Sequence, residues 1–399
     1  MDRGRYPIRR CCGCLLAALL LSPNQGATAD TVKRVAASAA AAPSALAVAE
    51  YRRKLEEYTL ARQKYEAAAD AYWESIADKR RLRRAKRRNN QDIVLGDYVL
   101  TQPPVYSGPP KPVDPSAPPE EAPPRKYVPV VADFLQAAAK EFNFVPQQPR
   151  SEMEYKRAYA KVASAAGLTK EQAVRIYGFE AGGDGKYDVQ AGLEQPRPGA
   201  QAISTALGYN QLLATNSVEL MAEKGDQFIR ILSAKAAGLT DEAKKTLQRK
   251  LAVLKSMVAF CRSVPDTWSA HDKLANTPKG LGVHALNLDL DVGPLLQTQK
   301  LLDSIVFARA QGSGGVLSAA ELEMMNLTGD GNGLDIITMP PVWRERVPTS
   351  NFFQPGGYER NPIAIRNNVV SKLLAATNAT MDQESKLQGA KELAALFSK

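Results

Sequence analysis

A glutamate at the predicted end of a helix is well placed for acid–base chemistry. Thr169 starts a helix through a capping pattern, and Gly182 stops it, so Glu180 falls in the last turn. The helix dipole disfavours negative charge there, and the rings of Tyr177 and Phe179 exclude water. Both effects raise the pKa of a carboxyl group. The sequence therefore predicts that Glu180 donates a proton near neutral pH.

A second motif follows at Ser204-Thr205-Ala206-Leu207-Gly208-Tyr209-Asn210-Gln211, at the predicted start of another helix. Glu-x-Gly followed by Ser-x-Ala-x-Gly-x-x-Gln resembles the lytic transglycosylases and goose-type lysozymes. The resemblance implies a lysozyme-like helical domain in which Glu180 is the catalytic acid. It also implies that Ser204, Gly208, Tyr209 and Gln211 line a sugar cleft. Tyr358 is matched to the cleft tyrosine of the family.

The resemblance implies a specific reaction on peptidoglycan glycan strands. In this family one glutamate protonates the oxygen between N-acetylmuramic acid and N-acetylglucosamine. The same glutamate then takes a proton from the muramic acid 6-hydroxyl, which closes a 1,6-anhydro ring without water. Two alternatives remain: hydrolysis, and a non-catalytic glycan-binding or envelope assembly protein that keeps the lysozyme-like fold.

Hydrolysis needs a second carboxylate, and three acidic residues after Glu180 are candidates: Asp184, Asp188 and Glu194. An inverting hydrolase places the two carboxyl groups about 6.5–9.5 Å apart. The insertion between Glu180 and Ser204 is longer than in the family, and residues 183–203 are predicted to form a hairpin or loop over the cleft. Solubility of that loop is the simpler explanation of the three acids.

Metal and cofactor sites are not predicted. The segment Asn326 to Asp335 has oxygen ligands and glycines that partly fit a calcium loop, but the bidentate glutamate of an EF-hand is missing. A glycine-rich loop after a helix explains it better. After residue 29 only His271, His284 and Cys261 could bind zinc through nitrogen or sulfur, too few for a zinc site without carboxylates.

The pattern beyond residue 126 predicts an all-α domain, 126–399. Apolar residues recur at helical spacing, and Ser151, Thr169 and Ser318 supply N-terminal caps. Alternating β patterns are nearly absent, apart from a short element near 183–192. The predicted helices are 130–142, 152–166, 170–180, 214–237 with an interruption at Gly225, 241–262, 292–311, 319–327, 366–376 and 380–397.

The N-terminal part predicts export. Residues 1–29 have a basic start, a short apolar run and a small-residue cleavage site, which is typical of a signal peptide, with a membrane anchor as the alternative. We therefore expect a periplasmic or extracellular location at the cell envelope. Residues 30–101 contain an Ala-rich segment and a charged helix over 48–89 with coiled-coil spacing. Residues 102–125 are Pro-rich and predict an extended linker.

The chain carries a formal net charge of +10, with a basic cluster from Lys79 to Arg88. Behind a signal peptide such a cluster favours an anionic envelope polymer or lipid as partner, and not nucleic acid. The alternative is a solvated helix end whose cations lie near the negative pole of the dipole. The coiled-coil spacing of the same helix leaves the oligomeric state open.

Overall fold

The computed structural model describes residues 44–117, 126–194 and 197–397, and the predicted signal peptide lies outside these ranges. The described chain is mainly helical, and its β structure consists of isolated bridges, which confirms the all-α prediction. The helices, numbered in chain order, are α1 Ala45–Arg88, α2 Val131–Phe142, α3 Glu152–Ala165, α4 Lys170–Ala181, α5 Ala214–Ala237, α6 Asp241–Cys261, α7 Trp268–Ala275, α8 Pro278–His284, α9 Gly293–Ala310, α10 Ala319–Thr328, α11 Asp330–Thr338, α12 Pro341–Arg344, α13 Pro355–Glu359, α14 Pro362–Arg366, α15 Val370–Glu384 and α16 Gln388–Ala395.

The described residues separate into two compact units, one ending at Lys126 and the other beginning at Tyr127. In the first unit, the start of the Pro-rich segment lies along α1. The ring of Tyr106 packs edge-on against Tyr58 and Tyr65, with ring centres 6.2 and 5.5 Å away. The Tyr72 hydroxyl donates to the Thr101 carbonyl at 3.0 Å. The aromatic positions of the predicted coiled-coil seam are thus partly covered by the chain's own return segment.

Part of the basic cluster also has partners inside this unit. Lys86 forms an ion pair with Asp97 at 2.7 Å, and that carboxylate accepts the amide of Val94. Arg83 is buried, donates to the Asp97 carbonyl at 2.9 Å and lies over the ring of Tyr98. These cations hold the turn after α1, so anion binding remains a prediction for the outer face of the cluster.

The second unit buries its core among α2 and the helices from α5 to α9. Next to this core, α4 packs against α10, α15 and α16, while α3 packs against α9. Ser151, Thr169 and Ser318 each accept an amide of the first turn that follows them, as the capping patterns predict. Within the described ranges, every helix is too short or too polar to cross a membrane.

Two predicted helix boundaries in this unit are wrong. No interruption occurs at Gly225, because α5 runs unbroken and uses this glycine for close packing on α6. A Cβ atom there would lie 2.2 Å from a methyl group of Val258. Near the C-terminus, helical structure is interrupted at residues 385–387 and not between 376 and 380. The helix α15 therefore extends through the predicted gap.

The glycine-rich segment after α10 is a helix, and the predicted loop is wrong there. Gly329 has a φ of +81°, which turns the chain directly from α10 into α11. Gly333 then lets α11 approach α10 closely, because a Cβ atom on it would lie 2.4 Å from Cα of Met325. The glycines therefore serve helix–helix packing.

We expect Gly333→Ala to destabilise the protein by about 1–3 kcal/mol, since the new methyl group meets backbone that cannot rotate away. Urea unfolding followed by circular dichroism measures this loss. Gly357→Ala is the control, because Gly357 also lies in a helix but has no neighbouring atom within 4 Å of a built Cβ. Equal stability of the two variants would contradict the packing role of Gly333.

Candidate functional site

Glu180 occupies the last turn of α4, as predicted. Gly182 follows in the left-handed region with a φ of +66° and ends the helix. Gly183 also has a positive φ, and a Cβ atom on it would lie 2.4 Å from the carbonyl oxygen of Glu384 in α15. These glycines turn the chain away over α15, which leaves the Glu180 side chain inside the unit with an exposed fraction of 4%.

A second glutamate lies beside Glu180. Asn326 in α10 donates from Nδ2 to Oε1 of Glu180 at 2.5 Å, and the same nitrogen is 3.4 Å from Oε1 of Glu323. Glu323 is buried, with an exposed fraction of 1%. The two carboxyl groups therefore face one amide from two different helices.

Burial dominates the electrostatics of this pair. It raises the pKa of Glu180 from its ordinary value of 4.5 to about 7, against the lowering effects of the Lys300 charge and of hydrogen bonds with Glu323 and Asn326. Burial and the neighbouring charge of Glu180 raise the pKa of Glu323 well above its ordinary value. The pKa of Glu180 is thus raised in the direction that the sequence predicts, and Glu323 contributes to the same proton equilibrium.

A small cavity adjoins the pair. It offers about 10 Å³ to the centres of water molecules, which is room for roughly one water. Within the described residues, Oε2 of Glu180 and the hydroxyl of Thr377 in α15 have no hydrogen-bond partner. The residues lining the cavity are Phe179, Glu180, Glu323, Leu327, Asn361, Ile363 and Thr377.

The second motif forms a tight turn that α9 holds in place. Gln297 of α9 accepts the amide of Asn210 at 2.8 Å and donates to the carbonyl of Leu207 at 3.0 Å. Gly208 has a φ of +82°, and Gln211 has a φ of +44°. The side chain of Gln211 donates to the carbonyls of Gly208 and Val189 at 2.8 and 3.1 Å. In this conformation Gln211 braces the turn.

Lys300, one helical turn after Gln297, connects the two motifs. Its ammonium group lies 3.5 Å from the carbonyl of Asn210, and its charge lowers the pKa of both Glu180 and Glu323. The turn of the second motif and the carboxyl pair therefore share a cation from α9. The sequence patterns did not identify Lys300.

His284 supports the other end of the second motif. Its Nε2 contacts the carbonyl of Thr205 at 2.8 Å, and Nδ1 contacts the hydroxyl of Ser217 at 2.8 Å. Burial lowers the pKa of His284 to about 4, so the ring is neutral at pH 7. With Nε2 donating to the carbonyl, Nδ1 accepts, and the histidine is a structural brace.

The other predicted substrate-binding residues lie in different surroundings. Tyr209 is fully buried, and its hydroxyl donates to the carboxylate of Glu152. Its ring packs edge-on against Tyr155, Tyr159 and Tyr177. Ser204 is half-buried, and its hydroxyl accepts the amide of Ala206. Tyr358 is buried in α13, where its carbonyl accepts the amide of Asn361, a residue that lines the cavity.

The predicted second carboxylates bond elsewhere. Asp184 accepts the amide of Gly389 at 2.7 Å, and Glu194 accepts the amide of Gly192 at 2.9 Å. Asp188 is half-buried, and its charge acts on Glu152 and Tyr187. The carboxyl group that meets Glu180 in the structure is that of Glu323.

The sequence patterns did not predict Glu323 as a site residue, although the sequence of α10 contains an indication of it. The helix α10 reads Ala-Ala-Glu-Leu-Glu-Met-Met-Asn-Leu-Thr, and nine of its ten residues are buried. Glu323 and Asn326 are three positions apart and so share one face. A carboxylate and an amide on the same face of a helix this apolar need polar partners across the interface.

We expect Gly208→Ala to destabilise the protein by about 1–3 kcal/mol, because a Cβ atom there would lie 2.6 Å from Nε2 of Gln297 and displace the side chain that holds the turn. Gly199→Ala is the matched control. Gly199 has a similar φ of +77° but no atom within 4 Å. Denaturant unfolding of both variants separates backbone strain from loss of the Gln297 contacts, and equal losses would contradict the turn-holding role of Gln297.

Metal ligation is not evident in the described ranges, which contain no group of three or more His, Cys, Asp or Glu side chains arranged to bind an ion. Asn326 and Asp330, considered above as calcium ligands, instead bond to Glu180 and Ser304. In comparisons with known proteins, no family model, curated protein or solved structure matches this chain.

Proposed function

We propose that this chain is an exported lytic transglycosylase that cleaves the linkage between N-acetylmuramic acid and N-acetylglucosamine in peptidoglycan, with Glu180 as acid and then base. The observation that carries the proposal is the state of Glu180: a buried carboxyl group at a helix end with a pKa raised to about 7. Such a group is protonated in a large fraction of molecules at neutral pH, as donation to a glycosidic oxygen requires.

The arrangement around Glu180 also supports this chemistry. Asn326 fixes one carboxyl oxygen, while Oε2 accepts no hydrogen bond from the described residues, and Glu180 lines the cavity. We assign the transferred proton to Oε2. It passes to the leaving oxygen as the glycosidic bond breaks, and the resulting carboxylate takes the proton of the muramic acid 6-hydroxyl as that oxygen bonds to the anomeric carbon.

The distance between the two carboxyl groups bears on the hydrolytic alternative. Their contacts with one amide nitrogen, at 2.5 and 3.4 Å, keep the Oε1 atoms of Glu180 and Glu323 close together. That separation is under about 6 Å, below the roughly 6.5–9.5 Å that an inverting hydrolase leaves for water. This spacing argues against an inverting hydrolase, and the reaction products distinguish a retaining hydrolase, whose two carboxyl groups lie about 5–5.5 Å apart.

Access to Glu180 requires movement of one wall. The cavity has room for about one water, so a sugar ring does not fit in this conformation. Asn361 and Ile363 form the wall from α14 and the residue before it, and α14 is only five residues long. In our proposal this wall moves outward when a glycan strand binds.

The burial of Glu180 favours a second candidate, a non-catalytic glycan-binding or envelope assembly protein. In that case the wall stays closed, and the carboxyl pair contributes only to the interior of the unit. Its glycan-binding surface would then lie elsewhere, and the protein would bind sacculi without changing them.

One experiment separates the candidates. Purified protein is incubated with peptidoglycan sacculi, and the soluble products are analysed by mass spectrometry. Muropeptides ending in a 1,6-anhydro ring are expected from the transglycosylase. Products with reducing ends indicate hydrolysis. Sacculi that retain the protein but release no product support the non-catalytic candidate and overturn the proposal.

A further inference from the structure

We propose that Glu180 and Glu323 form a carboxyl pair that shares one proton at neutral pH, and that Glu323 is the positioning residue that keeps this proton available to Glu180. The pairing rests on geometry and charge alone. Its catalytic consequence rests on the proposed function of Glu180.

The geometry places the carboxyl groups of Glu180 and Glu323 next to each other. Both side chains are buried, both contact Nδ2 of Asn326, and both line the same cavity. Asn326 donates to Oε1 of Glu180 at 2.5 Å, while Oε1 of Glu323 lies 3.4 Å from the same nitrogen. Two buried carboxylates at this distance repel strongly, so one proton between them is the stable arrangement.

The charge of Lys300 also acts on the pair. On α9, Lys300 is the charged side chain whose field acts on both members of the pair. The neighbouring cavity walls bring no charge, since α15 contributes Thr377, and the segment at α14 contributes Asn361 and Ile363. Lys300 favours ionisation of the pair, whereas burial and the mutual repulsion of the carboxyl groups oppose a second ionisation.

The pair differs from a single buried glutamate in how it responds to pH. As pH rises, the first proton leaves the pair, and the mutual repulsion described above holds the second proton to higher pH. A single glutamate loses its only proton in one step. Glu323 thus extends the pH range in which Glu180 can draw on a proton.

The test compares Glu323→Gln with the unchanged protein. Infrared spectra recorded across a pH series report the carbonyl band of a protonated carboxyl group. In the unchanged protein this band is expected to persist well above neutral pH, and in Glu323→Gln it is expected to disappear near neutral pH. Glu359→Gln, which removes an exposed carboxylate, is the control and should leave the band unchanged.

Anhydro-muropeptide release gives the second readout. In Glu323→Gln we expect the alkaline limb of its pH profile to shift to lower pH by at least about one pH unit. Between about pH 6 and pH 8.5 the rate of the variant should then fall roughly tenfold more than the rate of the unchanged protein. Superimposable profiles, or an unchanged infrared band in Glu323→Gln, overturn the proposal. If the infrared band depends on Glu323 but the protein releases no products, the carboxyl pair is supported and the proposed function is rejected.

If Glu323→Gln fails to fold, the same band is followed in Glu180→Gln, where Glu323 alone should release its proton at lower pH than the pair does.

Discussion

Glu180→Gln is expected to lower the release of anhydro-muropeptides by about 10²- to 10⁴-fold, the usual effect of removing a general acid. The glutamine keeps the size of the side chain and can still accept the hydrogen bond from Asn326. It has no proton to give to the leaving oxygen, and it cannot accept the proton of the 6-hydroxyl afterwards. Both halves of the proposed reaction are therefore lost together.

Thermal unfolding shows whether Glu180→Gln remains folded and tests the perturbed carboxyl group independently. The folded protein binds the Glu180 proton up to about pH 7, whereas the unfolded chain releases it near 4.5. A raised carboxyl pKa therefore costs stability as pH rises through this window. The substituted glutamine carries no charge at any pH, so the variant should gain stability relative to the unchanged protein as pH rises between about pH 5 and pH 8.

Asp184→Asn is the matched control for activity. Asp184 was considered above as a second carboxylate, and in the structure it accepts the amide of Gly389. It should change product release by far less than Glu180→Gln. If Asp184→Asn abolishes release while Glu180→Gln retains it, the assignment of the acid is wrong.

The sequence predicted those features of the fold that depend on residues close together in the chain. Ser151, Thr169 and Ser318 cap the helices that they were predicted to begin, because a capping hydrogen bond joins residues only three positions apart. The position of Glu180 in the last turn of α4 follows from one cap and one glycine. Helical class follows likewise from the spacing of apolar residues.

The surroundings of Glu180 were not predictable by the same reasoning. Glu323 and Asn326 lie more than 140 residues further along the chain, and only tertiary packing of α4 on α10 brings them to Glu180. Gly333 presents the same difficulty, because a glycine that permits close helix packing and a glycine in a loop look alike in sequence. Tyr209 was predicted to line the sugar cleft, and in the structure it is buried against Tyr155 and Tyr159 of α3 and Tyr177 of α4, contacts that only tertiary packing creates.

Lys250→Met is expected to destabilise the protein by about 3–5 kcal/mol, because it leaves a buried carboxylate without its cation. The ammonium group of Lys250 lies 2.8 Å from Asp289 and 2.5 Å from Asp291, and the side chain of Asp289 is fully buried. Asp289 also accepts the amide of Gln147, so it joins the segment before α3 to the segment before α9. The loss should appear as a lower midpoint in urea unfolding.

Lys245→Met, in the same helix, is the control. Lys245 and its partner Glu242 are 3.9 Å apart and 67% exposed, so breaking this pair should cost at most about 1 kcal/mol.

The pH dependence identifies the cause of a larger loss in Lys250→Met. Burial already raises the pKa of Asp289, and removing the lysine raises it further. The unpaired carboxylate then takes up a proton as pH falls, so the stability gap to the unchanged protein should narrow toward acid pH. A gap that stays constant with pH would mean that lost packing of the lysine stem, and not the unpaired charge of Asp289, destabilises the variant. Since Asp289 lies just before the helix that carries Gln297 and Lys300, the same variant should also loosen the turn of the second motif.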